Sequence, residues 1–182
     1  MKAPRKIKHF LWQCLSDCIA TCRRLADRHC GRERLCPRCG NEEETVNHCL
    51  FRCPPALQTW ALSDIPSSPG AFPSDSLVDN FDYLLLRAKT IGTPTSALGR
   101  FPWILWFIWK ARNEKIFNGK DILPPDIVCH ANREEEEWRV AQILSPHKAQ
   151  TTTTSTDVLN ESPLPRCQVD AFWVTNSNVF GG

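Results

Sequence analysis

Residues Cys36 to Cys53 read CPRCGNEEETVNHCLFRC. A Cys-x2-Cys pair can turn both sulfurs toward one point, and a later His48 and Cys53 can close a tetrahedral site around zinc. Four protein ligands leave no open coordination position, so such a zinc would be structural and not catalytic. Spacing leaves one ligand open. Cys49 stands four residues before Cys53, so the two could share a helix face, and a four-cysteine site with Cys49 in place of His48 is compatible with the pattern. Cys30 is a weaker substitute ligand. Cys14, Cys18 and Cys22 recur every four residues on an apolar stripe. They read as small core residues, with metal ligation as the alternative.

These residues need elements to hold them. Ile7, Phe10, Leu11, Cys14, Leu15, Cys18, Ile19, Cys22 and Leu25 recur at helical spacing and predict one helix from about Pro4 to Ala26. CPRCGN predicts a turn. Glu44 or Thr45 could open a short helix that carries His48 toward Cys53, stopped by Pro54-Pro55. The Pro- and Ser-rich stretch Ser63 to Ser76 predicts a loop, and Leu77 to Ala88 a helix broken at Gly92 to Thr95. A helix follows from about Ala97 to Phe117, dense with Trp103, Trp106, Phe107 and Trp109 and turning polar at Lys110, Arg112, Asn113 and Lys115. Pro124-Pro125 opens a last helix, Asp126 to Ile143, because proline is tolerated in a first turn. Residues 144–166 lose periodicity and are expected to be a disordered linker. CQVDAFWV, over 167–174, alternates like a strand. The fold class expected is mainly α: a small zinc-stabilised helical domain over 4–143, a linker, and an incomplete C-terminal β segment over 167–182.

With 182 residues and 42% hydrophobic content, the chain can build one modest core. The ten cysteines are not read as disulfides, because MKAPRKIKHF lacks the apolar segment of a signal peptide. An intracellular location, nuclear or cytoplasmic, is expected. FPWILWFIW is far shorter than the roughly 20 residues of a membrane span, so no membrane association is expected. Net charge is only +2, but Lys2 to Arg38 carries ten Lys or Arg against three acids. A basic end suits a polyanion such as nucleic acid, the alternative being a solvated helix face.

Three segments together resemble one family: KIKHFLW leading into the zinc motif with ETVNHCLFRCP, WILWFIWKARNEKIF downstream, and CQVDAFWV after a polar linker. They are similar to the zinc-binding region that follows the reverse transcriptase in plant non-LTR (LINE-type) retrotransposon polyproteins. The resemblance covers roughly Lys6 to Val174. It implies Cys36, Cys39, His48 and Cys53 as ligands of one structural zinc. It also implies that Asp170 stands where a following ribonuclease H-like domain places its first metal-binding carboxylate. The other carboxylates of that chemistry do not follow, and a two-metal site needs several, so no enzymatic activity is expected.

The function expected is therefore non-catalytic. RNA or DNA would be bound weakly, with strong salt dependence and without sequence preference, through Lys6, Lys8, Arg34, Arg38 and Arg52. No aromatic pair in the sequence marks a stacking platform, and the tryptophans read as core. The alternative is a structural or protein-interaction fragment that docks through the tryptophan-rich helix. A ribonuclease H-type nuclease is the remote alternative.

Overall fold

The computed structural model describes residues 3–67 and 72–144. The expected strand at 167–174, Asp170 and all of the expected linker except Leu144 lie outside the described residues. Those described are helical apart from turns and one isolated antiparallel bridge, Leu35 with Glu43.

The first helix, α1, spans Arg5–Leu15 and buries Ile7, Phe10, Leu11 and Cys14, the i, i+3, i+4, i+7 set that defines a single helix face. It does not continue to Ala26. Asp17 adopts a positive φ of 51°, which ends the helix, and Thr21 caps a separate α2, Cys22–Asp27, by accepting from the Arg24 N–H. The stripe of three cysteines is therefore split. Cys14 is fully buried, Cys22 is half-buried and Cys18 is exposed, so only the first is a core residue.

After the metal-motif segment, α3 spans Pro54–Leu62. Pro54 and Pro55 end the preceding turn, as expected, but they also open this helix, where their missing N–H groups are unneeded. Trp60 is completely buried and donates from its indole N–H to the Leu50 carbonyl at 2.8 Å. Around it Phe51, Phe72, Phe81 and Tyr83 form a cluster of stacked and edge-on rings. Two short helices, α4 (Leu77–Asp82) and α5 (Ala88–Thr90), are joined by a π-helical turn over Tyr83–Arg87.

The longest helix, α6, spans Thr95–Asn118 and is buried or half-buried all round over its central residues 101–109, with Phe101, Trp103, Ile104, Leu105, Phe107 and Ile108 inside. It ends at Gly119, whose φ of +65° lets its N–H and that of Lys120 cap the last carbonyls. α7 spans Pro124–Leu144 and runs antiparallel to α6, with Trp103 against Trp138 and Phe107 against His130. α1, α3, α5 and α7 all pack on α6, which makes α6 the axis of the unit. Its tryptophans are turned inward: Trp103 is buried, and Trp106 and Trp109 lie against Phe10 of α1. Among the described residues, no helix is long and apolar enough to cross a membrane.

Candidate metal centre

The Cys36–Cys39 segment is a tight knuckle. The Cys36 N–H donates to the Glu42 carbonyl, and the Gly40 N–H to the Cys36 carbonyl, both at 2.8 Å. Gly40 sits at φ +70°, a conformation that costs other residues about 1–2 kcal/mol. The second half begins at Thr45, whose hydroxyl accepts from the His48 N–H at 2.9 Å and caps the turn that follows. That turn, His48–Arg52, is π-helical, closed by the Cys53 N–H on the His48 carbonyl at 2.7 Å. The extra residue in an i→i+5 turn brings two residues five apart to one side. His48 and Cys53 thereby converge, which regular α geometry would deny them.

The result is a cluster in which the ligand atoms of Cys36, Cys39, His48 and Cys53 all lie within 4.8 Å of one another. The Cys36 and Cys53 sulfurs are 3.7 Å apart, and the Cys39 sulfur is 3.3 Å from His48 Nε2. A Zn–S bond of about 2.3 Å implies a tetrahedral S···S edge of about 3.8 Å. The donor set and its spacing fit a single structural zinc. Glu42 supports the fit. Its carboxylate is 3.0 Å from His48 Nδ1. A carboxylate only accepts, so Nδ1 carries the proton and Nε2 keeps its lone pair for a metal. Cys49 points away. It is buried in the apolar core, and burial pushes its thiol well above the ordinary value.

Without a metal the four donors share protons. A hydrogen bond from Cys53 holds the Cys36 thiol down at about 3 and pushes Cys53 up. Burial disfavours charge on His48, but its hydrogen bonds to Cys36 and Cys39 outweigh this and raise the imidazole to about 9.

The centre is tied into the molecule by a residue pair that composition does not reveal. Glu44 is fully buried, and so is Arg112 of α6, which reaches it with Nη2 at 2.6 Å and Nε at 2.9 Å. The same carboxylate accepts the Cys22 N–H at 2.6 Å, satisfying a first-turn donor of α2. Arg112 therefore does not belong to the solvated end of α6, where its charge suggests it should lie.

The five cations expected to meet nucleic acid are placed unequally. Arg34 is held by Asp27 at 2.8 Å and Glu43 at 2.6 Å. Arg38 donates to the Ile122 carbonyl at 2.9 Å, and Arg52 pairs with Asp75 at 2.9 Å. Lys6 lies over the Trp106 ring, 4.8 Å from its centroid. Lys8 is exposed, with no ion pair among the described residues.

Residues 1–60 match the family described as zinc-binding in reverse transcriptase. This region is related to the zinc-binding domains of reverse transcriptases. A 118-residue stretch, 64% of the chain, is 29% identical to a protein of Arabidopsis thaliana named "Putative ribonuclease H protein". The alignment spans only 19% of that relative's length. No solved structure matches the chain. The matched region contains every residue of the metal cluster, while Arg112, the partner of the buried Glu44, lies outside it.

Proposed function

We propose that the chain is a non-catalytic module in which Cys36, Cys39, His48 and Cys53 hold one structural zinc, and which binds RNA or DNA weakly and without sequence preference. The observation that carries the reading is the closed Cys3His cluster packed into the same core as a cationic first helix. Cys36, Cys53 and His48 are nearly inaccessible, so a zinc here has a folding role and no open position for substrate. Arg5, Lys6 and Lys8 stand exposed on α1, where they can neutralise phosphates. The name of the Arabidopsis relative, a ribonuclease H protein, is in keeping with a nucleic-acid context.

The test has two steps. Elemental analysis of the purified chain should give one zinc, lost with His48→Ala and kept with Cys49→Ala. Fluorescence polarisation with labelled RNA and DNA should then show binding at low salt that weakens steeply as salt rises. Absence of zinc, or of any binding at low salt, sinks the reading.

A further inference from the structure

Three cations within or beside the ligand motif have protein partners: Arg34 and Arg52 in ion pairs, and Arg38 through one nitrogen on the Ile122 carbonyl. The first helix differs. Arg5 and Lys8 are exposed, and their side chains make no ion pair or hydrogen bond among the described residues. Positions 5, 8, 9 and 12 follow the i, i+3, i+4, i+7 rule, so they share one face, opposite the buried Ile7, Phe10, Leu11 and Cys14. Trp12 closes that face and is 59% exposed, while every other tryptophan among the described residues is buried or half-buried. Its ring stacks on His9 with centroids 5.7 Å apart and planes 23° apart. One side of the indole is thus backed by an imidazole, and the other is open.

We infer that this face of α1 is a binding surface for single-stranded nucleic acid, with an unpaired base stacked on Trp12 and neighbouring phosphates held by Arg5 and Lys8. The inference rests on the nucleic-acid reading above and moves the contact from the zinc knuckle to the helix before it. An exposed indole offers a π-face that any base can cover, but bases in a duplex have theirs covered by their neighbours. Arg5 and Trp12 are separated by about 10 Å of helix rise, enough for a short run of backbone to pass beside Lys8. An apolar protein partner suits the face less well, because covering Trp12 would also strip water from Arg5 and Lys8 with nothing to pair them. Phe117 is more exposed still, at 76%, but Lys115 beside it is already paired with Asp121 at 2.5 Å.

The experiment is polarisation binding of the zinc-loaded full chain to labelled 20-nucleotide oligo(U), oligo(dT) and a 20-base-pair duplex. The unsubstituted chain is compared with Trp12→Ala, Trp12→Phe, Arg5→Ala/Lys8→Ala and Arg34→Ala. The side chains of Arg5, Lys8 and Trp12 are exposed, so zinc content and helicity should stay unchanged. Trp12→Ala should weaken single-strand binding about tenfold, within the range for losing one stacked base, and Trp12→Phe should recover part of it. Duplex binding should be weaker and indifferent to Trp12. Arg5→Ala/Lys8→Ala should flatten the logarithmic salt slope by about 1.4, two phosphates at about 0.7 each, and Arg34→Ala should leave it alone. Single-strand binding that ignores Trp12 and the Arg5/Lys8 pair overturns this inference and leaves the nucleic-acid reading standing. No binding to any of the three probes overturns both. A dimer in sedimentation that Trp12→Ala dissolves, without change in oligonucleotide binding, assigns the face to protein contact and also overturns it.

Discussion

At the scale of single residues, the metal centre depends on side chains that never touch the metal. Glu42 is largely exposed, yet its hydrogen bond fixes the His48 tautomer. Glu42→Gln should keep the fold and one zinc per chain but weaken zinc affinity about 10- to 100-fold, measured by competition with a chromogenic chelator. Proton linkage gives a second expectation. In the metal-free cluster the low value at Cys36 and the raised one at His48 mean that a proton has passed from thiol to imidazole. The unfolded chain, with His near 6.5 and Cys near 9, binds the same number of protons at these two groups between those values. Their combined contribution to metal-free stability is therefore flat from about pH 6.5 to 9. Below 6.5 the unfolded chain takes up the extra proton, and stability falls. Zinc must displace the His48 proton and any thiol protons, so chelator competition should show affinity rising with pH by about tenfold per unit for each proton released. The ligand motif itself was legible from spacing. The choice between His48 and Cys49 was not, because it depends on a π-turn, and nothing in a one-dimensional pattern separates i→i+4 from i→i+5 bonding. Glu42 and Glu44 look like a solvated acidic run in NEEET. Only the fold shows that one braces a ligand and the other is buried.

At the scale of elements, the knuckle and its flanking turns do the positioning. Gly40→Ala would force a Cβ into left-handed backbone. The space around it is open, so the cost is conformational, about 1–2 kcal/mol, and should appear as a proportionate loss of zinc affinity with no change in stoichiometry. α6 and α7 were readable almost to their ends, because long apolar periodicity and the Pro124-Pro125 start are strong signals. The first helix was over-extended. Its apolar stripe runs on through Cys18 and Ile19 although the backbone turns at Asp17, and an aspartate in left-handed conformation leaves no mark on hydrophobic periodicity. The tryptophans of α6 were correctly read as core. Among the described residues Trp12 is the exposed indole; it was grouped with the other tryptophans as core, although the apolar stripe through Leu11 and Cys14 passes it by.

At the scale of the whole molecule, the matched region and α6 share one apolar core, in which Cys36, Cys49 and Cys53 lie with Phe51, Trp60, Ile104 and Ile108. Removing zinc should therefore lower the melting temperature of the entire helical unit in one transition, followed by circular dichroism, instead of melting a separate finger. Arg112→Met should destabilise the fold by about 3–5 kcal/mol in chemical denaturation, because it strands the Glu44 carboxylate without a counter-charge. The double substitution Glu44→Leu/Arg112→Met should recover most of that loss, since replacing a whole buried pair by apolar groups is often close to neutral. A double variant as unstable as the single would show that the Cys22 N–H contact, and not the ion pair, is what Glu44 supplies.

Glu44 and Arg112 are 68 positions apart in the chain and are bound to each other's fate. A lineage that loses one charge first must pass through a protein that scarcely folds, so the two positions should drift together or not at all. The same bond argues against treating the matched 60 residues as a free-standing piece. A gene fragment cut at residue 60 would carry the whole metal cluster and the Glu44 carboxylate but none of the helix that neutralises that carboxylate, and would be expected to aggregate when expressed.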